Sequence, residues 1–266
     1  MIFKPHDYQK EAMAHLYKVR RSALWMPMGG GKTVSTLTAL DNLSTVEDVF
    51  PVLVLAPLRV AKSTWPDEVA KWPHLSHLRV SVITGTPKQR QAALDTPADI
   101  YCTNYDNLVW LRTALGDAWP FKTVVADEFT RLKSYRIRQG GSRARALGQV
   151  AHTHVTRFIG LTGTPAPNGV KDLWGQIWFL DQGERLGKTF SAFFKRDKRL
   201  SIDFLITHCA IQITGVDPFR DNGETPRSKG AVVPNVAHLA AGAIGIPFDQ
   251  LAVRREAVDS RWVIGT

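Results

Sequence analysis

The chain has 266 residues, 44% of them hydrophobic, and its 34 Lys and Arg outnumber 24 Asp and Glu to give a formal net charge of +10. That length holds one large or two modest globular domains with an ordinary buried core, and the charge favours an anionic partner such as nucleic acid. Two cysteines, Cys102 and Cys209, cannot build a disulfide framework and fit a reducing, cytoplasmic compartment. No apolar signal segment opens the chain, and the uncharged stretch 231–248 is broken by Pro234, Pro247 and glycines, so no membrane partner is expected.

In chain order, the apolar run 22–26 predicts a first strand, and MGGGKT at 28–33 follows directly, opening a helix over 32–43. A glycine cluster closing on Lys-Thr wraps backbone around phosphates. Glycine lets N–H groups approach the anion with no Cβ in the way, so Met28, Gly29, Gly30 and Gly31 line the loop. Lys32 then reaches the β- and γ-phosphates, and the Thr33 hydroxyl takes a place on Mg2+. Further strands are expected at 52–56, 79–84, 99–103, 123–127 and 157–162, with helices over 61–72, 87–94, 105–115, 142–150 and 170–180. The alternation predicts an α/β fold with a mainly parallel sheet flanked by helices. Trp65 and Trp72, seven residues apart, are expected to share one helix face and pack the core.

Six basic residues, Arg131, Lys133, Arg136, Arg138, Arg143 and Arg145, fall within one segment and form either an anion-binding cluster or a solvated loop. A Phe- and Lys-rich helical stretch at 189–199 leads into residues 208–266, which show scattered Pro and Gly and little amphipathic periodicity. These are expected to form an irregular C-terminal extension.

The phosphate loop alone leaves kinases, transport ATPases and GTPases open. The apolar strand TVVADE at 123–128 narrows the choice, because it ends in adjacent carboxylates. Asp127 can hold Mg2+ through its water shell, and Glu128 can orient or deprotonate an attacking water. A third strand ends in LTGTP at 161–165, where the hydroxyls of Thr162 and Thr164 can couple nucleotide state to motion.

In this order the segments resemble the first RecA-like lobe of a superfamily two helicase, of the Swi/Snf-like DNA translocase branch. HDYQKEA (6–12) resembles the adenine-recognising glutamine motif, MGGGKT motif I, LVLAPLRVAKSTWPDEVAKW (53–72) motif Ia, and CTNYDNL (102–108) motif Ib. DEFTRLKS (127–134) stands at the DEAH-like box, and LTGTPAPNGVKDLWGQIWFLD (161–181) resembles motif III and its following helix. The resemblance implies a RecA-like P-loop NTPase lobe over 1–207 that binds ATP and Mg2+. Gln9 would recognise adenine, and Lys32, Thr33, Asp127 and Glu128 would do the phosphate and metal work. Arg59, Lys62, Thr103 and Asn104 would face nucleic acid, expected to be double-stranded DNA.

Three departures from the family pattern bear on this. Met26 occupies the first position of the general phosphate-loop pattern, and Phe129-Thr130 replaces the usual small residue and His after Asp-Glu. No second RecA-like lobe is found, and QLAVRR at 250–255 is only a coincidental likeness to the start of motif VI. An arginine finger contributes about 10³–10⁵ in rate, so the chain alone is expected to bind ATP and hydrolyse it weakly, with a separate second-lobe polypeptide as a possible partner. The alternative expectation is a non-hydrolysing basic nucleic-acid-binding or regulatory module with a vestigial nucleotide site. A small-molecule phosphotransferase is disfavoured, since no acceptor pocket is evident.

Overall fold

Hydrophobic runs too continuous to alternate between core and solvent become the central strands of one sheet. The computed structural model describes residues 2–138 and 141–195, with short strand segments at 210–212, 253–255 and 262–264. Six strands, β1 (Arg21–Trp25), β2 (Val52–Ala56), β3 (Val80–Ile83), β4 (Ile100–Asn104), β5 (Thr123–Asp127) and β6 (Arg157–Thr162), pair in parallel. A short β7 (Ala210–Gln212) adds to the edge, giving the order β3-β4-β2-β5-β6-β1-β7. Every residue of β2, β4 and β6 is buried.

Alternate residues on the strands feed two separate cores, as the period of two requires. Leu24, Val52, Val54, Val125 and Ile159 pack with helices α1 (Asp7–Lys18), α2 (Lys32–Leu43) and α3 (Trp65–Lys71) on one face. Trp25, Leu53, Leu55, Val124, Ala126 and Phe158 face the opposite core. There they meet residues of α5 (Leu108–Leu115), α6 (Ser142–Gly148), α7 (Leu173–Asp181) and α8 (Phe190–Lys195), with α4 (Pro87–Asp95) contributing Ala93 and Leu94 at the margin. Arg21 fastens the start of β1 to the end of α7, its guanidinium donating to the carbonyls of Ala151, Val155, Phe179 and Leu180.

The expected elements are present, with shifted ends. Residues 61–72 do not form one helix: a π-helical turn, Val60–Thr64, precedes α3, and Trp72 has already left helical geometry at φ −102°, ψ 113°. Both tryptophans nonetheless join the same core. Helix α1 is not among the expected elements, although its buried residues Gln9, Ala12, Met13 and Leu16 recur at helical spacing; its start is fixed by Gln9, whose Oε1 accepts from the His6 N–H at 2.9 Å in a capping arrangement. Cys102 is a buried free thiol, whereas Cys209 and most of 208–266, including the first three residues of QLAVRR, lie outside the described residues. Among the described residues, no helix is long and apolar enough to cross a membrane.

Candidate nucleotide site and nucleic-acid face

The carboxyl ends of β1, β5 and β6 bring the predicted phosphate and metal residues together. From β1 the chain turns through Met26–Gly31 into α2, with Gly29 and Gly31 both at φ 78°. Gly31 stands at the start of α2 and no side chain caps that end. The first-turn amides, including those of Lys32 and Thr33, therefore open an anion site supported by the helix dipole. A Cβ at position 31 would fall 2.2 Å from Nε2 of Gln9. Gln9 is buried and its Nε2 donates to the Gly30 carbonyl at 3.2 Å, so its two amide ends join the start of α1 to the phosphate loop. Met28, at the loop tip, is 83% exposed.

Lys32 Nζ donates to the carbonyls of Met26 and Pro27 at 2.9 and 3.0 Å, closing the loop on itself. Burial pushes its ammonium below the ordinary lysine range, and the nearby Asp127 and Glu128 oppose that shift. Thr33 is half-buried in the first turn of α2.

Asp127 ends β5 and its carboxylate is held from two sides. Oδ1 accepts from the Glu128 N–H at 3.0 Å, and Oδ2 accepts from the Trp65 indole Nε1 at 3.0 Å. The Tyr105 hydroxyl donates to the Asp127 carbonyl at 2.7 Å. Burial raises the Asp127 carboxyl above the usual range, while the Trp65 and Glu128 donors and the Lys32 charge act the other way. Glu128 turns sharply off the strand in left-handed geometry, φ 54°, ψ 54°. Among the described residues no group of three or more His, Cys, Asp or Glu is arranged as a metal cage. Thr33 and Asp127 suit Mg2+, which is bound through few protein ligands and keeps waters and phosphate oxygens for the rest of its shell.

The third strand end sits between the other two, because β6 pairs with both β5 and β1. The Met26 N–H donates to the Thr162 carbonyl at 3.1 Å, tying the phosphate loop to this turn. Thr162 is buried and its Oγ1 accepts from the Thr164 N–H at 3.2 Å; Thr164 is exposed. Lys133 pairs with Asp172 at 3.3 Å, and the same Asp172 oxygen accepts from the Asn168 amide N–H and side chain at 3.0 Å each. The segment after Glu128 is thereby joined to the segment after Thr164.

The four residues expected to face nucleic acid divide into two pairs. Arg59 and Lys62 are exposed at the exit of β2. Thr103 and Asn104 are buried at the end of β4: the Thr103 hydroxyl donates to the Ile83 carbonyl at 2.7 Å and Asn104 Nδ2 to Asp106 Oδ2 at 3.2 Å. The basic cluster is also dispersed. Lys133 pairs with Asp172, Arg143 with Asp106, Arg136 lies 3.4 Å from the centre of the Phe190 ring, and Arg131 lies over Tyr105. Arg138 and Arg145 are exposed.

The polar roles of Trp65 and Tyr105 lie outside what the sequence motifs point to. One signal was available: a buried Trp or Tyr normally finds a partner for its N–H or O–H. Phe129, noted as a departure, is a core residue that occupies the room left by Gly160, where a Cβ would lie 2.2 Å from its ring.

The chain is similar to known proteins. The chain is 57% identical over 196 residues to protein p41 of Acyrthosiphon pisum secondary endosymbiont phage 1, covering 73% of this chain and 43% of that protein. It is 29% identical over 205 residues to the DNA excision repair protein ERCC-6-like of Mus musculus, covering 70% of this chain and 16% of that one. Among solved structures it resembles the Sulfolobus solfataricus SWI2/SNF2 ATPase core in complex with dsDNA, at a TM-score of 0.62 and 25% identity over 82% of this chain and 47% of the other. The chain thus spans less than half the length of each of these relatives. The six-stranded parallel core is that of a first RecA-like lobe of the Swi/Snf type, and residues 8–207 match the SNF2-related domain, the family to which this chain belongs.

Proposed function

We propose that residues 1–207 form the ATP-binding lobe of a nucleic-acid-dependent ATPase of the DNA translocase type, which requires a second lobe for efficient turnover. The observation that carries this reading is the convergence of the Gln9-braced glycine loop, Lys32 and the Asp127-Glu128 pair at the ends of β1 and β5, the two strands that flank β6. The first-turn amides of α2 and Lys32 bind the phosphates, Thr33 and Asp127 hold the metal, and Glu128 orients the attacking water. Magnesium, when bound, neutralises charge on the β- and γ-phosphate oxygens. Gln9 serves adenine from its place against the loop, and Thr162 and Thr164 relay the loop's state to the following turn.

Double-stranded DNA is the proposed partner, supported by the net charge, by the exposed Arg59 and Lys62, and by the DNA in the Sulfolobus complex. The second lobe would come from another polypeptide or from a longer form of this chain, and would supply the arginine finger.

Equilibrium binding of a fluorescent ATP analogue with Mg2+ tests the site. Binding that disappears in Lys32→Ala supports it; no binding by the wild-type chain at millimolar Mg-nucleotide would favour a vestigial site. Strong DNA-stimulated turnover by the isolated monomer would refute the requirement for a second lobe.

A further inference from the structure

Asp127 is gripped by two aromatic donors, and each comes from a strand exit that the family resemblance turns toward nucleic acid. Trp65 follows the exit of β2 that carries Arg59 and Lys62, and its indole donates to the carboxylate at Oδ2. Tyr105 follows the end of β4 and its hydroxyl donates to the carbonyl of the same residue. Both rings are buried, Trp65 completely, so neither donor has water as an alternative partner.

The connection between Arg59 and Trp65 is a π-helical turn. It spans Val60–Thr64 and is closed by a bond from the Trp65 N–H to the Val60 carbonyl. A π turn holds one residue more than an α turn; such turns are rare and frequently lie at functional sites. Arg59 and Lys62 ride on this turn with their charged ends in solvent, while the residue that ends it touches the metal carboxylate.

We infer that Trp65 and Tyr105 are positioning residues through which DNA engagement strengthens the hold of Asp127 on the metal-nucleotide. This rests on the proposed assignment of Asp127 to the metal and of Arg59 and Lys62 to DNA. The indole N–H aimed at Oδ2 fixes the direction in which this carboxylate projects. DNA on Arg59 and Lys62 holds the π turn, the π turn holds Trp65, and Trp65 keeps Oδ2 aimed. Tyr105 fixes the backbone from which that carboxylate projects.

The test measures coupling rather than activity. Affinity for a fluorescent ATP analogue with Mg2+ is measured on the full chain with and without saturating double-stranded DNA, for wild type, Trp65→Phe and Tyr105→Phe, with DNA affinity and thermal midpoint measured alongside. In wild type, DNA is expected to tighten nucleotide binding by about fivefold or more. In Trp65→Phe that factor falls towards one although DNA still binds, and in Tyr105→Phe it is reduced. Retention of the full factor in Trp65→Phe, or a wild-type chain that binds both ligands independently, overturns the inference and leaves the nucleotide-site reading standing. A wild-type chain that binds no nucleotide overturns that reading and this inference with it. Should Trp65→Phe fail to fold, Tyr105→Phe decides, since it removes only the hydroxyl and keeps the ring; an unchanged factor there overturns the inference.

Discussion

Gln9 and Gly31 form one fitted surface: the amide of the first occupies the space in which the second would carry a side chain, with a hypothetical Cβ 2.2 Å from Nε2. Helix α1 and the phosphate loop are thus set against each other by a side chain on one side and its absence on the other.

Gly31→Ala is expected to cost about 1–3 kcal/mol, since an L-residue is strained at this positive φ and the Gln9 bond to Gly30 must break. Mg-nucleotide affinity should fall with it. Urea denaturation of Gly31→Ala, Gln9→Ala and the double variant checks the contact; strict additivity of the two losses would show that the two residues do not share it.

Phe129 and Gly160 are expected to behave as a second fitted pair. Gly160→Ala drives a methyl into the Phe129 ring and should destabilise by about 1–3 kcal/mol, and Phe129→Ala by about 3–5 kcal/mol through the cavity it leaves. Combined, the two should cost less than their sum, because the methyl enters the vacated space. A double variant as unstable as the sum, in the same denaturation experiment, refutes the pairing.

The pH dependence of stability should carry the mark of Asp127. Its folded-state pKa lies above the unfolded value because of burial, so the folded protein holds the proton more tightly. The contribution of Asp127 is therefore fully present below the unfolded pKa and is lost as pH rises through the folded one. Lys32, Glu128 and the Trp65 donor face the group and limit the effect without reversing it. Unfolding free energies of wild type and Asp127→Asn compared between about pH 4 and pH 7 should show the wild-type advantage shrinking as pH rises. An advantage that grows would contradict the buried-carboxylate assignment.

Glu128 sits in left-handed geometry, which disfavours most side chains and tolerates Asn. Glu128→Asn should raise stability by up to about 1 kcal/mol while removing the carboxylate assigned to the attacking water. Denaturation and nucleotide binding read the two effects separately; a less stable variant would mean that the Glu128 side chain contributes more than its backbone strain costs.

The sequence by itself determined what is local. Glycines before Lys32-Thr33 allow a tight turn into a helix, β-branched runs such as 123–127 favour buried strands, and Asp127-Glu128 puts adjacent carboxylates where such a strand ends. The α/β class and the strand-end placement of Lys32, Thr33, Asp127 and Glu128 were therefore legible in the residues alone. Tertiary structure decided what depends on strand order. Because β2 lies between β4 and β5, Tyr105 and Trp65 reach Asp127 across 22 and 62 residues of chain, and no spacing in the sequence encodes that meeting. The same order buries Thr103 and Asn104 at the end of an interior strand while the turn after β2 carries Arg59 and Lys62 into solvent. Residue type named the candidate ligands, and the packing of one strand against its neighbours chose which of them face outward.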